Sequence, residues 1–179
     1  MGGLVNLMSL IGVEKTLIIA FGHLGIDETV AFNESIFVYF MPDSALQRHD
    51  YAEKGKIQNC IESKNCTQIV LIGAHEPSLI KNLRQGASLK SLREAIKFDL
   101  YPLLMHRTQT ILTPTVQDQM LVELHVISQC NMLLDYYFIR ERVESRQLDI
   151  RGIITATQDK RLKTIYYNGY VYNDLISMN

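Results

Sequence analysis

The chain has 179 residues, 47% of them apolar and 21% charged, with few glycines and prolines, a composition that supports one compact core and excludes a disordered chain. A net charge of −1 gives no electrostatic footprint for nucleic acid, and no apolar run reaches the roughly 18 to 20 residues that span a bilayer. Cys60, Cys66 and Cys130 form no Cys-x-x-Cys pair, which argues against a disulfide framework and a standard structural zinc site and fits a reducing cytoplasm.

Residues 1–15 carry Leu4, Val5, Leu7, Met8, Leu10 and Ile11 but no basic leader and no small-residue cleavage site, and Glu14 and Lys15 follow directly. They read as an N-terminal helical segment at a subunit interface. Residues 16–21, Thr-Leu-Ile-Ile-Ala-Phe, form a short apolar run that ends in a Gly/His turn and reads as the first strand. Residues 36–41, Ile-Phe-Val-Tyr-Phe-Met, read as the second, stopped by Pro42. Asp43 or Ser44 is placed to cap the next helix, whose Ile57, Cys60 and Ile61 fall at i, i+3, i+4 and predict a buried stripe with Cys60 as a small core residue.

Residues 69–72, Ile-Val-Leu-Ile, closed by Gly73, read as a central strand buried on both faces of a parallel sheet. Gly73 permits a sharp turn and Pro77 suits the first helical position, so residues 74–77 form a strand-to-helix junction. In open α/β sheets ligands bind beside the carboxyl ends of strands, which puts His75 and Glu76 at a functional address.

Residues 88–106 place Leu89, Leu92, Ile96 and Leu100 on one helical face, with Lys90, Arg93, Glu94 and Lys97 on a solvated one. Thr113-Pro114 starts one long or two consecutive helices through Val116, Met120, Leu124, Ile127, Leu134 and Phe138. His49, His106 and His125 lack i+4 metal partners and read as surface or interface residues. Residues 147–155 and 162–167 flank the polar turn 158–161 and predict a terminal hairpin. Tyr166, Tyr167, Tyr170 and Tyr172, with Val171, read as an edge strand and docking tail. The fold class is therefore α/β, a single domain over 1–179, with a mostly parallel central sheet, flanking helices and a C-terminal hairpin.

This order, together with Val116-x2-Gln119-x4-Leu124 and Leu148-Asp149-Ile150-Arg151-Gly152, resembles the β-class carbonic anhydrases over about residues 16–167. That family has a comparable Val/Gln/Leu helix before a Leu-x-Leu/Ile-His-Gly strand. Its first active-site motif, Cys-x-Asp-Ser-Arg, matches Phe21-Gly22-His23-Leu24-Gly25, so phenylalanine replaces the first cysteine ligand, and His23 and Gly25 replace the aspartate and arginine. Its second, Gly-His-Ser-x-Cys-Gly, matches Gly73-Ala74-His75-Glu76-Pro77-Ser78, so Ala74 replaces the histidine ligand and Pro77 the second cysteine. A catalytic zinc takes about three protein ligands and lowers the pKa of its bound water to about 7. With none of the three ligands retained, the resemblance implies the fold without carbon dioxide hydration.

The resulting expectation is a zinc-free, non-catalytic protein of this kind, acting as an oligomeric binding or regulatory protein. It has a degenerate strand-end pocket of Phe21, His23, Asp27, Gly73, Ala74, His75, Glu76 and Pro77. No cofactor, nucleic acid or membrane is expected; a homodimer or higher even oligomer is, with room for a further protein partner. The alternative is a metal-dependent lyase or hydrolase, a divergent carbonic anhydrase included, whose zinc sits in a rebuilt site of His23, His75 and Glu76 with Asp27 in reach. Against it stands the ordinary role of such histidines in turns and of such carboxylates at helix starts. Ser78 has no nucleophile elbow, and the single glycines form no phosphate-binding loop.

Overall fold

Side by side in the middle of the sheet lie β1 (Thr16–Phe21) and β3 (Gln68–Gly73), parallel to each other and buried at every residue. The computed structural model describes residues 14–21, 35–41, 46, 50–85, 114–155 and 162–172. Parallel to the central pair run β2 (Ile36–Met41), on the outer side of β1, and β4 (Asp149–Thr155), beyond β3. Two antiparallel strands, β5 (Leu162–Tyr167) and the short β6 (Tyr170–Val171), complete the order β2-β1-β3-β4-β5-β6. The mostly parallel sheet and the C-terminal hairpin are both present.

Continuous β-branched runs stand at the centre because a strand covered on both faces needs apolar residues at successive positions. Register is fixed at the amino ends by the chain itself: Thr67 and Gln68 N–H both donate to the Lys15 carbonyl, and Asp149 N–H donates to that of Thr67.

The helices among the described residues are α1 (Tyr51–Lys64), α2 (Pro77–Gln85), α3 (Pro114–Leu134) and α4 (Tyr137–Glu144). They contribute to one large cluster with Leu17, Ile19, Phe21, Ile69, Leu71, Ile150 and Ile154 of the sheet. Ile18, Val70, Ile72 and Ile153 belong to a second cluster, on the opposite face, as strand alternation requires. The long predicted segment resolves into two helices, with Asp135 and Tyr136 between α3 and α4.

Several details differ from the sequence expectation. The helix carrying Ile57 and Ile61 starts at Tyr51, capped by Asp50, whose carboxylate accepts from Glu53 N–H at 3.0 Å; Asp43 and Ser44 lie outside the described residues. Cys60 is only half-buried against the core edge. The buried side of α3 is made by Val122, Val126, Ile127, Cys130 and Leu133, while Met120, Leu124 and Leu134 are half-buried. His125 is fully buried, and so is Tyr166, whose hydroxyl donates to Asn131 Oδ1 at 2.8 Å; only Tyr170 and Tyr172 of the tyrosine cluster are strongly exposed. Residues 1–13 and the helix expected over 88–106, with His49 and His106, lie outside the described residues.

Helix α3 approaches the sheet over two glycines. A Cβ built on Gly73 would come within 2.6 Å of Val126 Cγ2 and 2.9 Å of Val122 Cγ1, and one on Gly152 within 3.0 Å of both Cys130 Sγ and Val126 Cγ1. Leu71, two residues before Gly73, pairs with Gly152 in register, so adjacent strands present a continuous shallow seat for the helix.

Candidate functional site

The parallel register sets one row across the carboxyl ends of the strands: Met41 beside Phe21, Phe21 beside Gly73, Gly73 beside Ile154. This is the address at which an open α/β sheet carries its ligand, and here the row offers hydrocarbon, a thioether and bare backbone. Phe21 is fully buried, its side chain on the α3 side of the sheet. Its ring meets the His125 imidazole edge to face, with centroids 4.8 Å apart and planes at 77°. Such a pair is worth about 0.5–1.5 kcal/mol beyond the area it buries. The first strand end is a packed aromatic contact.

Beyond Gly73 the chain turns within four residues. Glu76 N–H donates to the Ala74 carbonyl at 2.9 Å, Ile80 N–H donates to that of Glu76 at 3.0 Å, and Pro77 opens α2 where its missing N–H leaves no bond unmade. Ala74 is buried; His75 and Glu76 are half-buried; Pro77 and Ser78 are exposed. The backbone N–H of His75 donates to Thr155 Oγ1 at 3.3 Å and ties this turn to the end of β4. Among the described residues, His75 Nε2 is buried and makes no hydrogen bond.

Phe21, Gly73, Ala74, His75, Glu76 and Pro77 are thus assembled around neighbouring strand ends, while His23 and Asp27 lie outside the described residues. Sequence reasoning missed three contributors. Val122 and Val126 pack against Gly73, and His125 packs on Phe21. His125 was legible only as a histidine in an apolar helix, since nothing local marks which strand an imidazole will meet.

A zinc ion does not fit the three aligned positions. Phenylalanine, alanine and proline side chains carry no donor atom, and zinc requires thiolate sulfur, imidazole nitrogen or carboxylate oxygen. The cysteines cannot substitute from elsewhere: Cys66 precedes β3 at the amino end of the sheet, Cys60 is on α1, and Cys130 is on α3 beneath Gly152. Burial pushes all three thiols above the ordinary value of 9.0, Cys66 to about 11, opposite to the shift that makes a thiolate ligand. No cluster of three or more histidine, cysteine or carboxylate residues able to hold a metal occurs among the described residues.

Comparison with solved structures gives the architecture its class. Wild-type β-carbonic anhydrase CafD of Aspergillus fumigatus is similar with a TM-score of 0.62 and 22% identity, over 86% of this chain and 90% of that one. A tetrameric β-carbonic anhydrase of Sordaria macrospora gives 0.66 and 16%, over 92% and 86%. The Coccomyxa β-carbonic anhydrase in complex with acetazolamide gives 0.63 and 14%, over 90% and 77%. No protein-family model matches the sequence, and neither does any curated protein. At such identities the likeness speaks for fold: the chain has a β-carbonic anhydrase-like α/β fold.

Proposed function

We propose that this chain is a zinc-free β-carbonic anhydrase-like protein that works by binding, as an oligomer, and does not hydrate carbon dioxide. The observation that carries the reading is Phe21, a fully buried ring packed on His125 where the family motif would place its first cysteine. Ala74 and Pro77 at the other two aligned positions support it. A zinc-bound hydroxide is what makes hydration fast at neutral pH, so a chain unable to hold the ion lacks the nucleophile. Oligomerisation is supported by the tetrameric state of the Sordaria macrospora relative and by the apolar residues Leu4, Val5, Leu7, Met8, Leu10 and Ile11. Burying six such side chains against a second copy contributes on the order of 10 kcal/mol before ordering entropy is subtracted.

Stopped-flow hydration assays in zinc-supplemented buffer test the catalytic half of the reading: the rate stays at the uncatalysed value, and a zinc-dependent acceleration overturns the proposal. Sedimentation of the full chain and of a variant beginning at Val13 tests the other half. A dimer or higher even oligomer that dissociates on truncation is expected; a monomeric full-length protein at micromolar concentration contradicts it.

One observation favours a second reading. The buried His75 Nε2, without a hydrogen bond among the described residues, is the kind of atom a metal would engage, and Glu76 is its chain neighbour. With His23 it would form the rebuilt His/carboxylate set of a zinc lyase or hydrolase. Alanine at His23 or His75 then abolishes metal binding; unchanged metal content in both variants removes this reading.

A further inference from the structure

At the amino ends of the strands, away from the Phe21 and Gly73 row, lies a cleft of about 440 Å³. Its walls come from the residues just before β1, β3 and β4 and from the end of α4. Two arginines line it. Arg142, half-buried, stands in the last turn of α4, and Arg146, exposed, follows the helix four residues on. The wall also contains two carboxylates; one, Asp149, keeps its charge and is oriented by neutral donors, Tyr167 hydroxyl to its Oδ2 at 3.0 Å and Asn168 Nδ2 to its Oδ1 at 2.7 Å. Glu14 is the remaining one. Among the described residues neither arginine forms an ion pair.

Complementing a helix dipole accounts for Lys64 and Arg142, each in the last turn of its helix. It does not account for Arg146. That residue lies past the end of α4 with φ of 59°, in the left-handed position after a helix that glycine adopts without strain. The side chain is the one thing arginine supplies there that glycine does not.

We propose that this cleft is an anion site for a small phosphate monoester, with the phosphate held between the guanidinium groups of Arg142 and Arg146. Guanidinium forks match phosphate oxygens in pairs. The volume exceeds that of a phosphate and leaves room for a sugar-sized body. The inference is independent of the proposed function, because the site lies at the other end of the strands and uses none of its residues.

The test uses the full chain, titrated with inorganic phosphate and then with glucose 6-phosphate at constant ionic strength, followed by amide chemical shifts. Saturable shifts confined to residues 65–67 and 142–149 are expected, with the sugar phosphate binding at least as tightly as phosphate. Arg146→Gly removes the guanidinium while relaxing the backbone, so it keeps or raises the melting temperature and weakens binding by about tenfold to a hundredfold, the usual worth of a lost charge-assisted contact. Arg142→Gln weakens it similarly. Shifts that chloride reproduces, no saturation with either phosphate, or full affinity in Arg146→Gly each overturn the proposal.

Discussion

Phe21 and Gly73 sit next to each other in register, one filling space and the other leaving it free, and helix α3 uses both. A methyl at Gly73 meets Val126 and Val122 side chains at distances real Cβ atoms do not adopt, so Gly73→Ala forces α3 or its valines to move. Overpacking of this kind costs about 1–3 kcal/mol. Urea unfolding of Gly73→Ala should show that loss, and adding Val126→Ala should cost less than the sum of the single changes, because the second substitution makes room for the first. Cys66 yields a prediction of a different kind. Its folded thiol holds its proton to about 11, chiefly because it is buried, while the unfolded thiol releases it near 9.0. The unfolded state therefore binds fewer protons in that window, so this contribution to stability is complete below 9.0 and is lost as pH rises towards about 11. Urea midpoints measured across that window should fall more steeply for the native sequence than for Cys66→Ala, which removes the group; parallel curves would refute the linkage. That Phe21, Ala74 and Pro77 carry no donor atom was fully legible, since this is a property of the residue itself. What Phe21 touches was not, because His125 is distant in sequence.

Elements whose burial follows a simple rule were read correctly from the chain. The runs at β1 and β2 kept their boundaries, and β3 extends one residue beyond its predicted run at each end, because continuous hydrophobic runs closed by glycine or proline have few alternatives. Pro77 opened its helix as its ring demands. Helix α3 resisted because it is buried on more than one side: Glu123, His125, Ser128 and Gln129 are buried along with Val122, Val126 and Cys130, so no single 3.6-residue stripe marks the core. One of them, Gln129, has a partner out of reach of any periodicity: the Leu46 N–H donates to its Oε1. The start of α1 was misjudged because Asp43, Ser44 and Asp50 are equally good caps in sequence, and tertiary context decides among them. Asp50→Ala removes an observed cap and should destabilise the protein by about 1 kcal/mol, measured by urea or thermal unfolding; an unchanged midpoint would show that the cap contributes nothing.

At the scale of the molecule, the alternation of strands and helices and the terminal hairpin were enough to reach the architecture, since a mostly parallel core leaves few topologies. Function does not follow at this scale, because one fold hosts unrelated sites. The account rests on the donor chemistry of the strand ends: a row of Met41, Phe21, Gly73 and Ile154, followed by Ala74 and Pro77, in a β-carbonic anhydrase-like frame. The most direct measurement is metal content by plasma mass spectrometry after the purified chain is equilibrated with excess zinc and dialysed. The account predicts far less than one zinc per chain; one tightly held zinc per chain would contradict it.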